Sequence, residues 1–90
     1  MKYDIYYTNR FKRQYKKLNR EIKDSVIDNI KKLQTEPFYS SQHTEKIKGT
    51  NFYSSRVNIN YRFSWQFKSD ENNSIIIRNV DEHDKLYNSP

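Results

Sequence analysis

The stretch that decides the fold is RVNINYRFSWQF, residues 56–67, in which polar and apolar residues alternate without a break. This period of two is typical of a half-buried strand, whose successive side chains point to opposite faces. A single strand of this length would span roughly 40 Å at about 3.3 Å per residue, which is too long for so small a domain. We therefore predict a hairpin that reverses at residues 58–60, because asparagine tolerates the left-handed conformation that a reversal needs.

A three-residue loop sets the register of this hairpin. It places Val57 opposite Tyr61, so that the apolar residues of both strands share one face. Arg56 and Arg62 then lie side by side on the other face, where two like charges destabilise the pair by roughly 0.2–1 kcal/mol. A sheet tolerates this cost most readily where an anion binds. The register therefore indicates an anion-binding site on this face.

Two helices are predicted before the hairpin. Thr8 or Asn9 caps the first helix, and Asn19 caps the second. The second helix ends before Pro37, because the residue preceding a proline avoids helical geometry. Apolar residues at helical spacing predict that both helices pack on one face of the sheet: Phe11, Tyr15, Leu18, Ile22, Val26, Ile30 and Leu33.

The remaining strands come from the two ends of the chain. Residues 2–7 alternate in polarity and predict a first strand, while residues 75–77 are apolar on both faces, the mark of a central strand. Residues 38–44 and 70–73 read as a loop and a turn, and residues 46–49 lead into the hairpin. We predict a single α+β domain over residues 1–90, with element order β-α-α-β-β-β. Its two N-terminal helices pack on one face of a mostly antiparallel four-stranded sheet.

Composition restricts the functional classes. The chain has no cysteine, which excludes disulfides and thiolate metal sites and suits a reducing cytoplasm. No apolar run approaches the ~20 residues of a membrane span. The formal net charge of +6 indicates an acidic partner, either nucleic acid or protein. The alternative is that the lysine excess reflects genome composition and serves solubility alone.

The segment after the central strand is dense in ionisable groups. His83 lies there between Glu82 and Asp84, with Tyr87 close behind. Imidazole changes its protonation state near neutral pH, which makes histidine the default group for proton transfer. The alternative is a solvated His83 and a Tyr87 that only packs. For Arg78, which interrupts the strand, we favour a structural ion pair over a catalytic role.

The order of these elements, together with three short motifs, resembles the RelE/ParE superfamily, the small toxins of bacterial toxin–antitoxin pairs. The motifs are KIKG at residues 46–49, RVNINYR at residues 56–62 and VDEHDKLY at residues 80–87. The resemblance runs over nearly the whole chain. Within the superfamily, the chain most resembles the branch whose members end in a His-Asp…Tyr element. Tyr53, Ser54 and Ser55 depart from it, because ribosome-dependent members carry lysines on this strand.

The resemblance implies an endoribonuclease toxin that uses the 2′-hydroxyl of RNA as its nucleophile and needs neither cofactor nor metal. Arg62 would contact the scissile phosphate, with Arg56 as a second cation. His83 would transfer a proton, and Tyr87 would stack on a base or donate a hydrogen bond. Glu82 and Asp84 are candidate bases, or they orient His83. We further predict RNA contacts from four basic residues: Lys46, Lys48, Arg56 and Arg78.

The same resemblance implies two partners, an acidic antitoxin and mRNA, either free or in the ribosomal decoding site. It also leaves a second activity open, because the superfamily includes gyrase inhibitors without nuclease activity. A non-enzymatic nucleic-acid-binding module that uses the first helix is the third reading.

Overall fold

The computed structural model describes residues 2–38, 42–68 and 73–90 of the 90-residue chain. Residues 39–41 of the loop expected at residues 38–44, and residues 70–72 of the turn expected at residues 70–73, therefore lie outside the described residues. Within them the chain forms eight elements: β1 (Asp4–Tyr7), α1 (Asn9–Lys16), α2 (Arg20–Thr35), β2 (Glu45–Lys46), β3 (Tyr53–Arg56), β4 (Tyr61–Phe67), β5 (Ser74–Glu82) and α3 (His83–Asn88).

Side-chain caps start the two long helices where the sequence predicts them. The Thr8 hydroxyl accepts a hydrogen bond from the backbone N–H of Phe11 at 3.1 Å, and the Asn19 side chain accepts one from Ile22 at 2.9 Å. Each cap satisfies a backbone donor that has no partner inside its helix. Helix α2 ends at Thr35, two residues before Pro37. No helix in the described part of the chain is long and apolar enough to cross a membrane.

The five strands form one mixed sheet in the order β1-β5-β4-β3-β2. Strand β1 runs parallel to its neighbour β5, and every other pair is antiparallel. The predicted α+β class and the central position of β5 are confirmed, but the predicted four strands are one too few. The additional strand, β2, has only two residues, and its Glu45 and Lys46 pair with Ser54 and Tyr53. A strand this short has no period of two to detect, so tertiary pairing alone defines it.

The predicted hairpin has the expected register and a different turn. Arg56 pairs with Arg62, and the N–H of Val57 donates to the carbonyl of Tyr61 at 2.9 Å. Neither Asn58 nor Asn60 takes the left-handed conformation that we predicted. Instead, the Asn58 side-chain oxygen accepts hydrogen bonds from the N–H groups of Asn60 and Tyr61, at 2.9 and 2.8 Å. The side chain of Asn58 thus closes the turn and makes positive φ unnecessary.

The hydrophobic core lies between the sheet and the first two helices. Phe63 and Trp65 of β4 are fully buried and lie on the same face as their cross-strand neighbours Val80 and Ile77. Residues from both helices complete one continuous cluster with them: Phe11, Val26, Ile30 and Leu33. The predicted packing of both helices on one face of the sheet is confirmed.

The opposite face of the sheet is partly covered by α3, whose Leu86 is fully buried. No local pattern in the sequence predicted a helix after the last strand. Six residues are too few to show a helical period, and most of them are polar. Helix α3 packs on β4 and β5, and the hydroxyl of its Tyr87 reaches Ser54 of β3. This placement brings the ionisable residues of the tail over the face that carries Arg62.

Candidate active site

Arg62 is buried against neutral partners. The residue is only 6% exposed, and its Nε donates to the Ser54 hydroxyl at 3.1 Å. Nη2 donates to two backbone carbonyls, at 2.6 Å to His43 and at 3.1 Å to Ser54. Among residues 2–38, 42–68 and 73–90, no carboxylate lies within ion-pair distance of this guanidinium, and Nη1 makes no hydrogen bond. A buried cation without a counter-charge favours the binding of an anion.

His43 reaches Arg62 through an uncommon backbone conformation. It is the one non-glycine residue of the described chain with positive φ, at 48°. Such a conformation costs on the order of 1–3 kcal/mol and persists only where the surroundings enforce it. In this conformation the carbonyl of His43 accepts the hydrogen bond from Nη2 of Arg62. The imidazole itself is exposed, so His43 contributes to the site through its backbone.

A directional hydrogen-bond chain connects Arg62 to the C-terminal helix. The hydroxyls of Ser54 and Tyr87 are 2.6 Å apart, and the Tyr87 hydroxyl donates a hydrogen bond to Oε1 of Glu45. Tyrosine has a single hydroxyl proton. Because Glu45 receives it, Ser54 must donate to Tyr87, and Ser54 in turn accepts from Nε of Arg62. The polarity therefore runs from Arg62 through Ser54 and Tyr87 to Glu45.

This chain holds Tyr87 in its neutral form. Burial raises the pKa of the Tyr87 hydroxyl, and the hydrogen bond to Glu45 raises it further, while Ser54 and Arg62 act in the opposite direction. A neutral phenol keeps its proton for Glu45 and remains a hydrogen-bond donor at neutral pH. In this arrangement Tyr87 is a poor proton acceptor. It can position its neighbours and supply an aromatic surface.

His83 lies against this chain at the first turn of α3. Its ring centroid is 4.7 Å from that of Tyr87, which follows one helical turn later. Its backbone N–H donates to the carbonyl of Asn60 at 2.9 Å, so the hairpin loop fixes the start of the helix. Its Nδ1 is 3.2 Å from Oδ1 of Asp84, and more than half of the side chain is accessible. Both position and exposure are compatible with proton transfer to a bound substrate.

An open depression of about 440 Å³ adjoins His83, between the hairpin loop and the end of β5. The predicted bases Glu82 and Asp84 line it together with Tyr61. Both carboxylates are exposed, and only Asp84 contacts the imidazole. Asp84 can therefore orient His83, whereas Glu82 faces the depression without a described partner. The depression is the accessible approach to His83.

The structure places the other predicted residues at three separate positions. Arg56 is exposed at the end of β3, in register with Arg62. Lys46 and Lys48 line a second depression, of about 370 Å³, at the β2 edge of the sheet. Arg78 lies within β5, and no described hydrogen bond connects its side chain to Arg62 or His83. The ion pair considered for Arg78 is not present among the described residues, which offer it Gln66 and Pro90 as hydrogen-bond partners.

Two residues of this site were not recognised from the sequence. Ser54 appeared there only as a departure from the basic strand of similar toxins, and Glu45 carried no signal. The period-two pattern does place Ser54 on the face of Arg62, two residues from Arg56. That register could have identified Ser54, but nothing local connects Glu45 to Tyr87, 42 residues away. The described residues also contain no cluster of three or more side chains suited to a metal ion.

The fold matches solved toxin structures. A YoeB/ParE toxin from Agrobacterium tumefaciens is similar with a TM-score of 0.76 and 16% identity, over 89% of this chain and 98% of that one. A chain of the archaeal RelE–RelB complex from Pyrococcus horikoshii OT3 has a TM-score of 0.76 and 17% identity, over 91% and 96%. A chain of the RelB–RelE antitoxin–toxin complex from Methanococcus jannaschii has a TM-score of 0.71 and 24% identity, over 94% and 99%.

No family model matches the sequence, and no curated protein matches it. The chain thus has the fold of the RelE/ParE superfamily, as the motifs predicted.

Proposed function

We propose that this protein is the toxin of a toxin–antitoxin pair and that it cleaves mRNA through attack of a ribose 2′-hydroxyl on the adjacent phosphate. The observation that carries the proposal is the hydrogen-bonded chain from Arg62 through Ser54 and Tyr87 to Glu45, with His83 packed on Tyr87. It combines a buried cation with an accessible imidazole on one face of the sheet. The fold shared with RelE and YoeB toxins agrees with this assignment.

The reaction needs a base, a group that stabilises charge, and an acid. The 2′-oxygen gives up its proton and bonds to phosphorus, and the P–O5′ bond breaks as the 5′-oxygen takes a proton. The products are a 2′,3′-cyclic phosphate and a 5′-hydroxyl. The nucleophile belongs to the RNA itself, so the chemistry has no need of a metal-activated water. Negative charge develops on the phosphate oxygens, where a preorganised guanidinium is most effective.

Arg62 fits the charge-stabilising role better than Arg56. Three hydrogen bonds hold its guanidinium in a fixed orientation, and Nη1 remains available to a phosphate oxygen. Such a group loses little freedom when the transition state forms. Arg56 is exposed and makes no described hydrogen bond, so it suits a more distant phosphate. His83 is the group that moves protons, with Asp84 orienting its ring and Glu82 as the other candidate base.

The proposed acidic antitoxin has a suitable docking surface on the opposite side of the molecule. Tyr7, Phe11 and Tyr15 stack in series, with ring centroids 5.2 and 5.9 Å apart. With Ile27 they line a groove of about 500 Å³ that Lys12 and Lys16 border. An acidic amphipathic segment would bury the aromatic row and pair with the lysines. Two of the similar structures are complexes of RelE with RelB, which agrees with a protein partner for this chain.

Cleavage assays test the nuclease assignment. Purified protein is incubated with free RNA, with and without a metal chelator, and separately with mRNA on translating ribosomes in their normal magnesium buffer, and the RNA ends are mapped. We expect 2′,3′-cyclic phosphate ends in at least one condition. His83→Ala should slow single-turnover cleavage by on the order of 10²–10⁴. Absence of new ends in both conditions, together with inhibition of gyrase supercoiling, would overturn the nuclease assignment in favour of a gyrase inhibitor.

The substitution at Arg62 must separate catalysis from folding. Arg62→Ala would leave buried hydrogen-bonding groups unpaired, at about 1–3 kcal/mol for each group. Arg62→Lys keeps the charge and loses the fork geometry, so we expect a loss on the order of 10²–10³ in rate with a smaller change in melting temperature. Arg20→Lys, at an exposed position on α2, is the matched control and should cleave at the wild-type rate. A well-folded Arg62→Lys protein that cleaves RNA at the wild-type rate would contradict the role given to Arg62.

A further inference from the structure

A second cluster of hydrogen-bond donors lies further along the same face of the sheet, around Arg78. The guanidinium of Arg78 stacks on the ring of Phe52, at 3.7 Å from the centroid, and Nη1 donates to Gln66 at 2.6 Å. Strand β5 is irregular at this point, since Ser64 pairs with Asn79 while Trp65 pairs with Ile77, which leaves Arg78 outside the ladder. Such a bulge redirects a side chain and is often found beside functional sites.

Four donors from three elements converge here on the last two residues of the chain. Asn79 Nδ2 donates to the carbonyl of Ser89 at 2.5 Å, and the Ser64 hydroxyl donates to the carbonyl of Pro90 at 3.1 Å. Nε of Arg78 is 3.4 Å from the same Pro90 oxygen. From α1, Nη2 of Arg10 donates to the Ser89 hydroxyl at 3.1 Å. Every one of these protein groups donates, and oxygen atoms receive all four bonds.

The cluster has an excess of positive charge. Burial lowers the pKa of Arg78, and the nearby charge of Arg10 lowers it further. No acidic side chain of the described residues forms an ion pair with either arginine. The fold therefore holds two guanidinium groups near each other without a described Asp or Glu side chain to neutralise them. The buried amide oxygen of Asn79 has no hydrogen-bond partner among the described residues, so Asn79 contributes to this cluster through its Nδ2 donor alone.

We propose that Arg10, Ser64, Arg78 and Asn79 form a phosphate-binding site for the RNA strand, and that Ser89 and Pro90 cover it until the RNA displaces them. Phosphate oxygens accept hydrogen bonds from guanidinium, amide and hydroxyl donors, so they can replace the oxygens of Ser89 and Pro90. The proposal rests on the RNA substrate of the proposed function and adds a second contact to it.

The position of the cluster suits a second phosphate of the same RNA molecule, near the phosphate at Arg62. Arg62 pairs with Asp81 in β5, three residues from Arg78. At about 3.3 Å per residue, the two arginines are separated by roughly 10 Å along the strand. A single-stranded RNA lying on this face could reach both residues with successive parts of its backbone. The second site would thus hold the strand while its scissile phosphate lies at Arg62.

Binding measurements at several salt concentrations test the proposal without cleavage. The probe is a fluorescent RNA oligonucleotide with 2′-O-methyl groups throughout, which cannot supply the nucleophile. We compare Arg10→Gln/Arg78→Gln with Arg13→Gln/Arg20→Gln, a control of equal net charge whose arginines lie outside the cluster. Loss of one phosphate contact should reduce the slope of log K against log salt by about 0.7 for single-stranded RNA. We expect this reduction in the first variant alone.

A second arm uses inorganic phosphate with the full-length protein. Titration should shift the NMR signals of the Asn79 side-chain amide and of the Ser89 backbone amide, and both shifts should vanish in Arg10→Gln/Arg78→Gln. Should that variant lose its fold, Arg10→Gln alone retains the packing of Arg78 on Phe52 and should still reduce the slope.

The outcomes separate this site from the nuclease assignment. Equal slopes in the two double variants, with the Asn79 signal unmoved by phosphate, would overturn the proposed site even if the protein cleaves RNA. A reduced slope in Arg10→Gln/Arg78→Gln supports the site even if no cleavage occurs, in which case the nuclease assignment alone fails.

Discussion

At the scale of the residue, Tyr87 connects most of the candidate active site. It contacts Ser54 and Glu45 through its hydroxyl and His83 through its ring. Its raised pKa has a defined consequence for stability. A raised pKa means that the folded state binds the proton more tightly than the unfolded state. This stabilisation is complete at pH values below the pKa of tyrosine in the unfolded state, about 10. It is lost as pH rises through the pKa of Tyr87 in the folded state.

We therefore predict that the free energy of unfolding falls above about pH 10 and that Tyr87→Phe makes this fall less steep. At neutral pH the same variant should lose about 1 kcal/mol, because the hydrogen bonds to Ser54 and Glu45 disappear. Urea unfolding at a series of pH values measures both effects. Tyr6→Phe, which removes an exposed hydroxyl without a described hydrogen bond, should follow the wild-type curve. Parallel curves for wild type and Tyr87→Phe would contradict the assigned burial of this hydroxyl.

At the scale of the element, the β3–β4 hairpin positions the start of α3, which carries the proposed proton-transfer residue His83. Asn58 closes its turn through two hydrogen bonds, and the carbonyl of Asn60 receives the N–H of His83. A distorted turn would move that carbonyl and, with it, the first turn of α3. The hairpin therefore links local turn chemistry to the position of the imidazole.

We predict that Asn58→Ala lowers the free energy of unfolding by about 1–2 kcal/mol, from the loss of two side-chain hydrogen bonds. It should also slow RNA cleavage under conditions where the protein is fully folded, since His83 is no longer held in place. Asn60→Ala is the matched control, because its side chain makes no described hydrogen bond and its carbonyl remains. We expect it to stay within about 0.5 kcal/mol of wild type. Equal destabilisation by the two substitutions would contradict the role given to the Asn58 side chain.

At the scale of the whole molecule, charge and apolar surface occur together on the helical side. The formal net charge is +6, and Lys12 and Lys16 contribute to it beside the aromatic groove of Tyr7, Phe11 and Tyr15. Positive charge around an apolar groove accelerates encounter with an acidic partner and also defines its orientation. RNA would bind on the opposite side of the sheet. The proposed protein and RNA partners would thus use different faces.

We predict that the protein copurifies with an acidic protein encoded beside its gene. Reversing charge with Lys12→Glu/Lys16→Glu should reduce the association rate constant by about tenfold or more at low salt, because rim charges act mainly on encounter. Stopped-flow association with the copurified partner measures this rate. The control Lys31→Glu/Lys32→Glu makes the same charge change on exposed positions of α2, away from the groove. Similar losses in both variants would show that net charge acts without a docking site at the groove.

The sequence by itself determined the features that depend on near neighbours. Alternating residues marked β4 and its register with β3, and the caps at Thr8 and Asn19 marked both long helices. These signals are readable because capping and side-chain alternation involve residues only a few positions apart. The same register identified Arg56 and Arg62 as a pair. Motif order pointed in addition to the RelE/ParE fold.

Only the tertiary structure decided how the candidate site is assembled. It buried Arg62 and left Arg56 exposed, although the two residues pair directly in the sheet. It formed α3 and brought Tyr87 to Glu45 and Ser54, contacts that span 42 and 33 residues. Contacts of this kind depend on how distant segments pack, and no local pattern in the sequence encodes their partners. For the same reason the cluster around Arg10 and Arg78 is visible only in the folded chain, where the first helix and the last two residues meet over the sheet.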